Sequence, residues 1–142
     1  MYPCEGFNEP DTIFLVQSSF DRVSARSRDF GERFYALLFE ANPELRSLFE
    51  GELTAQTKML VSMLSSLVKG LNRMQEIMGG LRELGKRHHG YKVVRADYDK
   101  VARALLRTLE EFLGDDLTPD IRHAWITVYG TIAEIMIDAA EN

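Results

Sequence analysis

The sequence predicts an all-α fold in a single domain. Three observations carry that prediction. Apolar residues recur every three or four positions through most of the chain, no stretch alternates apolar and polar residues for the length of a strand, and Asn42-Pro43-Glu44 and Thr118-Pro119-Asp120 each spell a helix start. At 142 residues the chain is long enough to bury roughly two-thirds of the surface it exposes when unfolded. Residues 1–10 read as a flexible arm and residues 11–142 as the folded domain.

Each helix has its own signals. The first is expected to start at Asp11 or Thr12, either of which can cap it, to turn Ile13, Leu15, Val16, Phe20 and Val23 inward, and to end near Ser24. The second, from about Ala25 to Phe39, presents Phe30, Phe34, Leu37 and Leu38, and Gly31 offers a place where another backbone can come close. Asn42 as N-cap, Pro43 at the first helical position and Glu44 in the first turn open a short third helix that ends by Phe49. Gly51 and Thr54 read as loop and cap of a long amphipathic helix carrying Leu53, Leu60, Met63, Leu64, Leu67 and Leu71. Gln56 is the polar intruder on that helix, either reaching solvent at its edge or facing a ligand.

Gly79-Gly80 is expected to break the chain before the next helix, and Gly90 to end that helix. Val93-Val94 follows as extended chain. From about Ala96 to Leu113 another helix carries Val101, Leu105, Leu109 and Phe112 along one side, and residues 114–117 make a turn. The last helix, capped at Thr118, turns Ile121, Trp125, Val128, Tyr129, Ile132, Ala133 and Met136 inward.

Composition narrows the function. A formal net charge of -5, with no basic stripe interleaved with aromatics, argues against nucleic acid, whose binding depends on clustered Lys and Arg. The single cysteine, Cys4, excludes an internal disulfide and a Cys-rich zinc site. The arm lacks a basic start and an apolar run, and Ile13 to Val16 is far too short to cross a bilayer, so the expectation is a cytoplasmic protein without a membrane segment.

The residue that points to chemistry is His88. Leu81, Leu84 and His88 fall on one helical stripe, while Arg82, Glu83, Lys86 and Arg87 face out or aside. An imidazole is thus set on an apolar face without stranding charges. Such a histidine is ordinarily a satisfied core or surface residue, but Tyr98 lies ten positions on, at a helix start from which its hydroxyl can fold back. Upstream, the segment from Arg33 to Phe49 packs an aromatic helix against a short second one, and Gln56 and Leu60 follow one helical turn apart.

Together these residues resemble a globin over nearly the whole chain, from about Pro10 to Ala140, and most of all the bacterial single-domain globins and the haem domain of flavohaemoglobins. The resemblance implies a globin fold, helices A to H around a haem pocket with a short or irregular D region, and haem b (iron protoporphyrin IX) as cofactor. It makes His88 the proximal iron ligand, Tyr35 the distal tyrosine, and Gln56 with Leu60 the distal polar and apolar pair. Phe49 wedges against the haem, Tyr98 supports the proximal ligand, and Trp125 with Tyr129 match an aromatic pair on the last helix. Val93 lies beside the cofactor; Arg87 is either a solvated helix edge or a partner for haem propionates. Neither His89 nor His123 is expected to ligate iron.

The implied ligands are dioxygen, carbon monoxide and nitric oxide. Hydrogen bonds from Tyr35 and Gln56 to a partly charged dioxygen would be worth roughly 1.5 to 3 kcal/mol each, which implies reversible, high-affinity binding. Tight holding suits nitric oxide dioxygenation better than oxygen transport. With the last helix ending at Asn142, turnover would draw electrons from a separate reductase. The glutamate that joins the proximal His and Tyr in flavohaemoglobins is matched by Ala140; Glu141, one residue on, points about 100 degrees away. A gas or redox sensor acting through a partner protein is the alternative, a haem-free interaction module a third reading. The oligomeric expectation is a monomer or weak homo-oligomer.

Overall fold

A computed structural model describes residues 10–49, 52–90 and 93–141. Along the chain run α1 (Pro10–Ser24), α2 (Ser27–Ala41), a 3-10 helix (Pro43–Leu48), α3 (Leu53–Lys69), a short 3-10 turn (Leu71–Arg73), α4 (Met74–Gly90), α5 (Arg95–Leu113), a second such turn (Gly114–Asp116) and α6 (Pro119–Glu141). There is no strand among the described residues, so the all-α reading holds. The expected arm, Pro10 apart, lies outside the described residues, as does Gly51.

Most helix bounds agree with the signals in the sequence. Thr118 caps α6 by accepting the Ile121 N–H at 3.3 Å, and α5 ends at Gly114, whose φ of +54° suits a residue without a Cβ. Three starts and breaks differ. Asn42 makes no side-chain cap; its amide instead donates to the Leu38 carbonyl at 3.2 Å, closing α2 rather than opening the 3-10 helix. Thr54 is not a cap, because α3 begins at Leu53 behind an extended Glu52.

Gly79-Gly80 does not break the chain, which is helical through both. Glycine costs a helix only about 1 kcal/mol per residue, and the buried Leu81 and Gly85 hold α4 against α6. The break falls earlier, at Gly70, whose N–H bonds the carbonyls of Ser66 and Leu67 as α3 ends. Leu71, expected on α3, is therefore buried from the following turn.

Two apolar clusters position the site. The larger joins α1, α2, α5 and α6 through Val16, Phe20, Phe30, Phe34, Leu38, Leu109, Trp125 and Val128. Trp125 satisfies its indole N–H on the Ser19 hydroxyl at 2.9 Å. Gly31 lets α2 cross α3 closely: a Cβ there would meet the Thr57 methyl at 2.6 Å. The smaller cluster, Leu81, Ile135 and Met136, fastens α4 to α6. Between the two, α3 is held off from α4, α5 and α6, and the space left is the site.

Candidate functional site

That space is a cavity of about 150 Å³, set within about 950 Å³ of atom-free volume that includes its open mouth. Its lining is almost wholly apolar: Leu60, Met63, Leu64 and Leu67 from α3 face Val101 and Leu105 of α5 and Val128, Ile132 and Met136 of α6. Spacings of three and four residues on each helix produce this wall. Among the polar residues that reach it are His88, Asp97, Tyr98 and Tyr129. No group of three or more His, Cys, Asp or Glu suited to a metal ion occurs among the described residues.

His88 is held in one orientation. Its Nδ1 lies 2.9 Å from the Leu84 carbonyl, one turn back on α4. A carbonyl only accepts, so Nδ1 carries the proton and Nε2 keeps its lone pair. Burial lowers the imidazole's pKa below its ordinary 6.5, the Leu84 hydrogen bond pulls the other way, and the Arg87 charge lowers it further. The neutral, ligating form is favoured. The chain leaving α4 is tied to the same residue, since the Val93 N–H donates to the His88 carbonyl at 3.0 Å.

Tyr98 stands beside His88, ring centroids 6.4 Å apart and 30° from parallel. Burial raises its pKa. Tyr129 donates its hydroxyl to the Tyr98 carbonyl at 2.7 Å, which fixes the start of α5 to α6. The first turn of α5 is closed by Asp97, whose carboxylate accepts the Val94 N–H at 3.0 Å and lies 3.5 Å from Lys100. Val94 is extended, as the sequence suggested.

The structure thus brings together four of the residues singled out from sequence: Leu60, His88, Val93 and Tyr98 line one cavity. Four others stand outside that lining. Tyr35 is buried against Phe39 and Phe49, ring centroids 5.7 and 5.4 Å away, with its hydroxyl 3.5 Å from the Gln56 carbonyl. Its pKa is pushed up to about 12 by burial. Gln56 is half-buried one turn before Leu60, on the same face of α3. Phe49 packs edge-on to Tyr35 and Phe39, and Arg87 is exposed on α4.

His89 and His123 are both exposed. Glu141 pairs with Arg95 at 3.4 Å, and Glu134 joins the same guanidinium at 3.1 Å, so both acids are held at the surface. Sequence reasoning missed Asp97 and Gly85. Asp97 had a signal, an acid three residues after an extended position before a helix, but no Ser or Thr stood at the cap to complete the usual motif.

Comparisons with known proteins bear on the fold and the family. The globin family model matches residues 32–136. The chain is 30% identical over 134 residues to a flavohemoprotein of Oceanobacillus iheyensis, covering 92% of this chain and 33% of that protein. It is also 30% identical over 132 residues to a flavohemoprotein of Pseudomonas putida, covering 90% and 34%. The chain therefore spans about a third of the length of these curated relatives. Among solved structures, an engineered carbene transferase from Rhodothermus marinus, derived from a protein named as a nitric oxide dioxygenase, superposes with a TM-score of 0.84 at 26% identity over 94% of this chain and 93% of its own.

Proposed function

Because this chain belongs to the globin family, we propose that it binds haem b in the α3–α6 cavity, takes up dioxygen reversibly and with high affinity, and oxidises nitric oxide to nitrate when a separate reductase supplies electrons. The observation that carries the reading is His88: a half-buried imidazole on an apolar wall, its Nδ1–H committed to the Leu84 carbonyl and its Nε2 left to donate. The donor set suits the group, since a neutral imidazole is the usual single protein ligand to globin iron and an apolar wall suits a porphyrin face. Bound there through His88, haem would supply a ferrous iron able to take a diatomic ligand.

What the chain's own residues contribute follows from their places. Leu84 and Val93 fix the His88 ring and its backbone, so the ligand nitrogen does not rotate away. Leu60, Met63, Leu64 and Leu67 exclude water from the side facing His88. Tyr35 keeps its proton to about pH 12 and is a donor throughout the physiological range. Its 3.5 Å contact with the Gln56 carbonyl is at the limit of a hydrogen bond. Little is therefore lost when the hydroxyl turns to a ligand. Gln56, one turn from Leu60, is the second donor. Arg87 stays in water, where it is able to pair with a propionate. The cytoplasm is the compartment this reading assigns, and among the described residues no helix is long and apolar enough to cross a membrane.

The test is the visible absorption spectrum of the haem-reconstituted protein as ferric, as dithionite-reduced, and after admission of air. The expected result is a five-coordinate ferrous spectrum that converts in air to a long-lived oxygenated one, and loss of both in His88→Ala. A protein that shows no Soret band after reconstitution would refute the reading.

A further inference from the structure

The helix that carries His88 is seated on α6 through one residue with no side chain. A Cβ added at Gly85 would lie 2.2 Å from the Met136 carbonyl oxygen and 2.7 Å from both its carbonyl carbon and its Cα. These are backbone atoms of a neighbouring helix and have no rotamer to yield. Elsewhere the tight glycines meet chiefly side chains: Gly31 the Thr57 and Val61 methyls, Gly70 the end of Ile77. Gly79 and Gly80, on the same helix as Gly85, would meet nothing within 4 Å. The four glycines of α4, with Gly90 as open as Gly79 and Gly80, are thus of two kinds, and the buried one lies three residues before His88 on an adjoining strip of the helix.

We propose that Gly85 is a positioning residue for His88: its bare Cα, seated on the Met136 backbone, sets the depth at which the imidazole enters the cavity. Met136 is itself in the cavity wall, so the seam and the site share a residue. Around the contact, Leu81 and Ile135 are 2% and 1% exposed and clamp the two helices together, so α4 cannot give locally. Opening that 2.2 Å separation to an ordinary carbon–oxygen contact needs a movement of roughly 1 Å of one helix away from the other. Leu84, whose carbonyl orients His88, rides on α4 with it. The ring therefore keeps its hydrogen bond and changes its distance from the opposite wall. The inference rests on the haem reading above.

The experiment compares Gly85→Ala with Gly79→Ala and Gly80→Ala in the haem-loaded protein. The readouts are the iron–imidazole stretching band in the resonance Raman spectrum of the ferrous form and the rate of haem transfer to excess apomyoglobin. The expected result is a shifted band and a transfer rate raised by about tenfold or more in Gly85→Ala alone. An unshifted band in a folded Gly85→Ala, even one with a lowered melting midpoint, would reduce the glycine to a packing role and overturn the proposal. Should Gly85→Ala fail to fold, Leu81→Ala decides: Leu81 clamps the same seam from outside the cavity lining, so a shifted band in the folded variant supports the seam and an unshifted one overturns the proposal. Wild-type protein that takes up no haem overturns both readings; wild type that loads normally beside an unmoved Gly85→Ala overturns this one alone.

Discussion

Tyr35 shows how much a single side chain carries here. Its proton is held to about pH 12 in the folded state against an ordinary value of 10.0. Between those values the folded chain keeps a proton that the unfolded chain has lost. Stability is accordingly full below pH 10 and falls as pH rises from 10 toward 12. Tyr98 and Tyr129 shift in the same direction, so urea unfolding across pH 9 to 11 should show a declining midpoint that Tyr35→Phe makes shallower without abolishing. The same substitution should speed dioxygen release about tenfold or more, since a charge-assisted hydrogen bond is worth roughly 1.5 to 3 kcal/mol, and should affect carbon monoxide less. Equal dioxygen release in the two proteins, measured by stopped-flow, would remove Tyr35 from the ligand site. Trp125→Phe should cost about 1 to 3 kcal/mol in urea unfolding, because it leaves the buried Ser19 hydroxyl without its indole donor.

At the scale of elements, α4 is where sequence rules and structure part. Two adjacent glycines looked like a break, and the helix runs through them. Both are exposed with open space at the missing Cβ, so Gly79→Ala and Gly80→Ala should each stabilise the protein by about 0.5 to 1 kcal/mol in urea unfolding. Loss of stability in either would mean that the bare backbone is covered by something. The Asn42 and Thr54 caps failed for a related reason. A side-chain cap is worth only about 1 kcal/mol, and chain geometry around Pro43 and Glu52 set the helix starts instead. By contrast α6 was legible almost to the residue, because Thr118, Pro119 and Asp120 are three concordant signals ahead of a regular apolar face.

For the molecule as a whole, the cavity between α3 and α4 to α6 is a stability defect that the proposed haem would repair. Saturating haem should raise the thermal midpoint as any ligand of the folded state does, and the increase should shrink in His88→Ala. Differential scanning fluorimetry of apo and reconstituted protein measures both; an equal increase in the variant would mean that His88 is not the residue holding the haem. The surface ion pairs, such as Arg33 with Glu111 between α2 and α5, lie largely in water and mark helix neighbours more than they strengthen the fold.

The sequence by itself determined the all-α class, the inward face of nearly every helix and the apolar stripe on which His88 sits, because these follow from local periodicity and from side chains within one turn of each other. It also singled out Leu60, Val93 and Tyr98, which the fold brings to the same cavity as His88. Only the tertiary structure decided that Tyr35 and Phe49 form an aromatic group beside the cavity rather than in its wall, and that Glu141 is held by Arg95. The role of Gly85 was likewise invisible. Its partner is the backbone of Met136, 51 positions further on, and a backbone contact leaves no side-chain pattern to read.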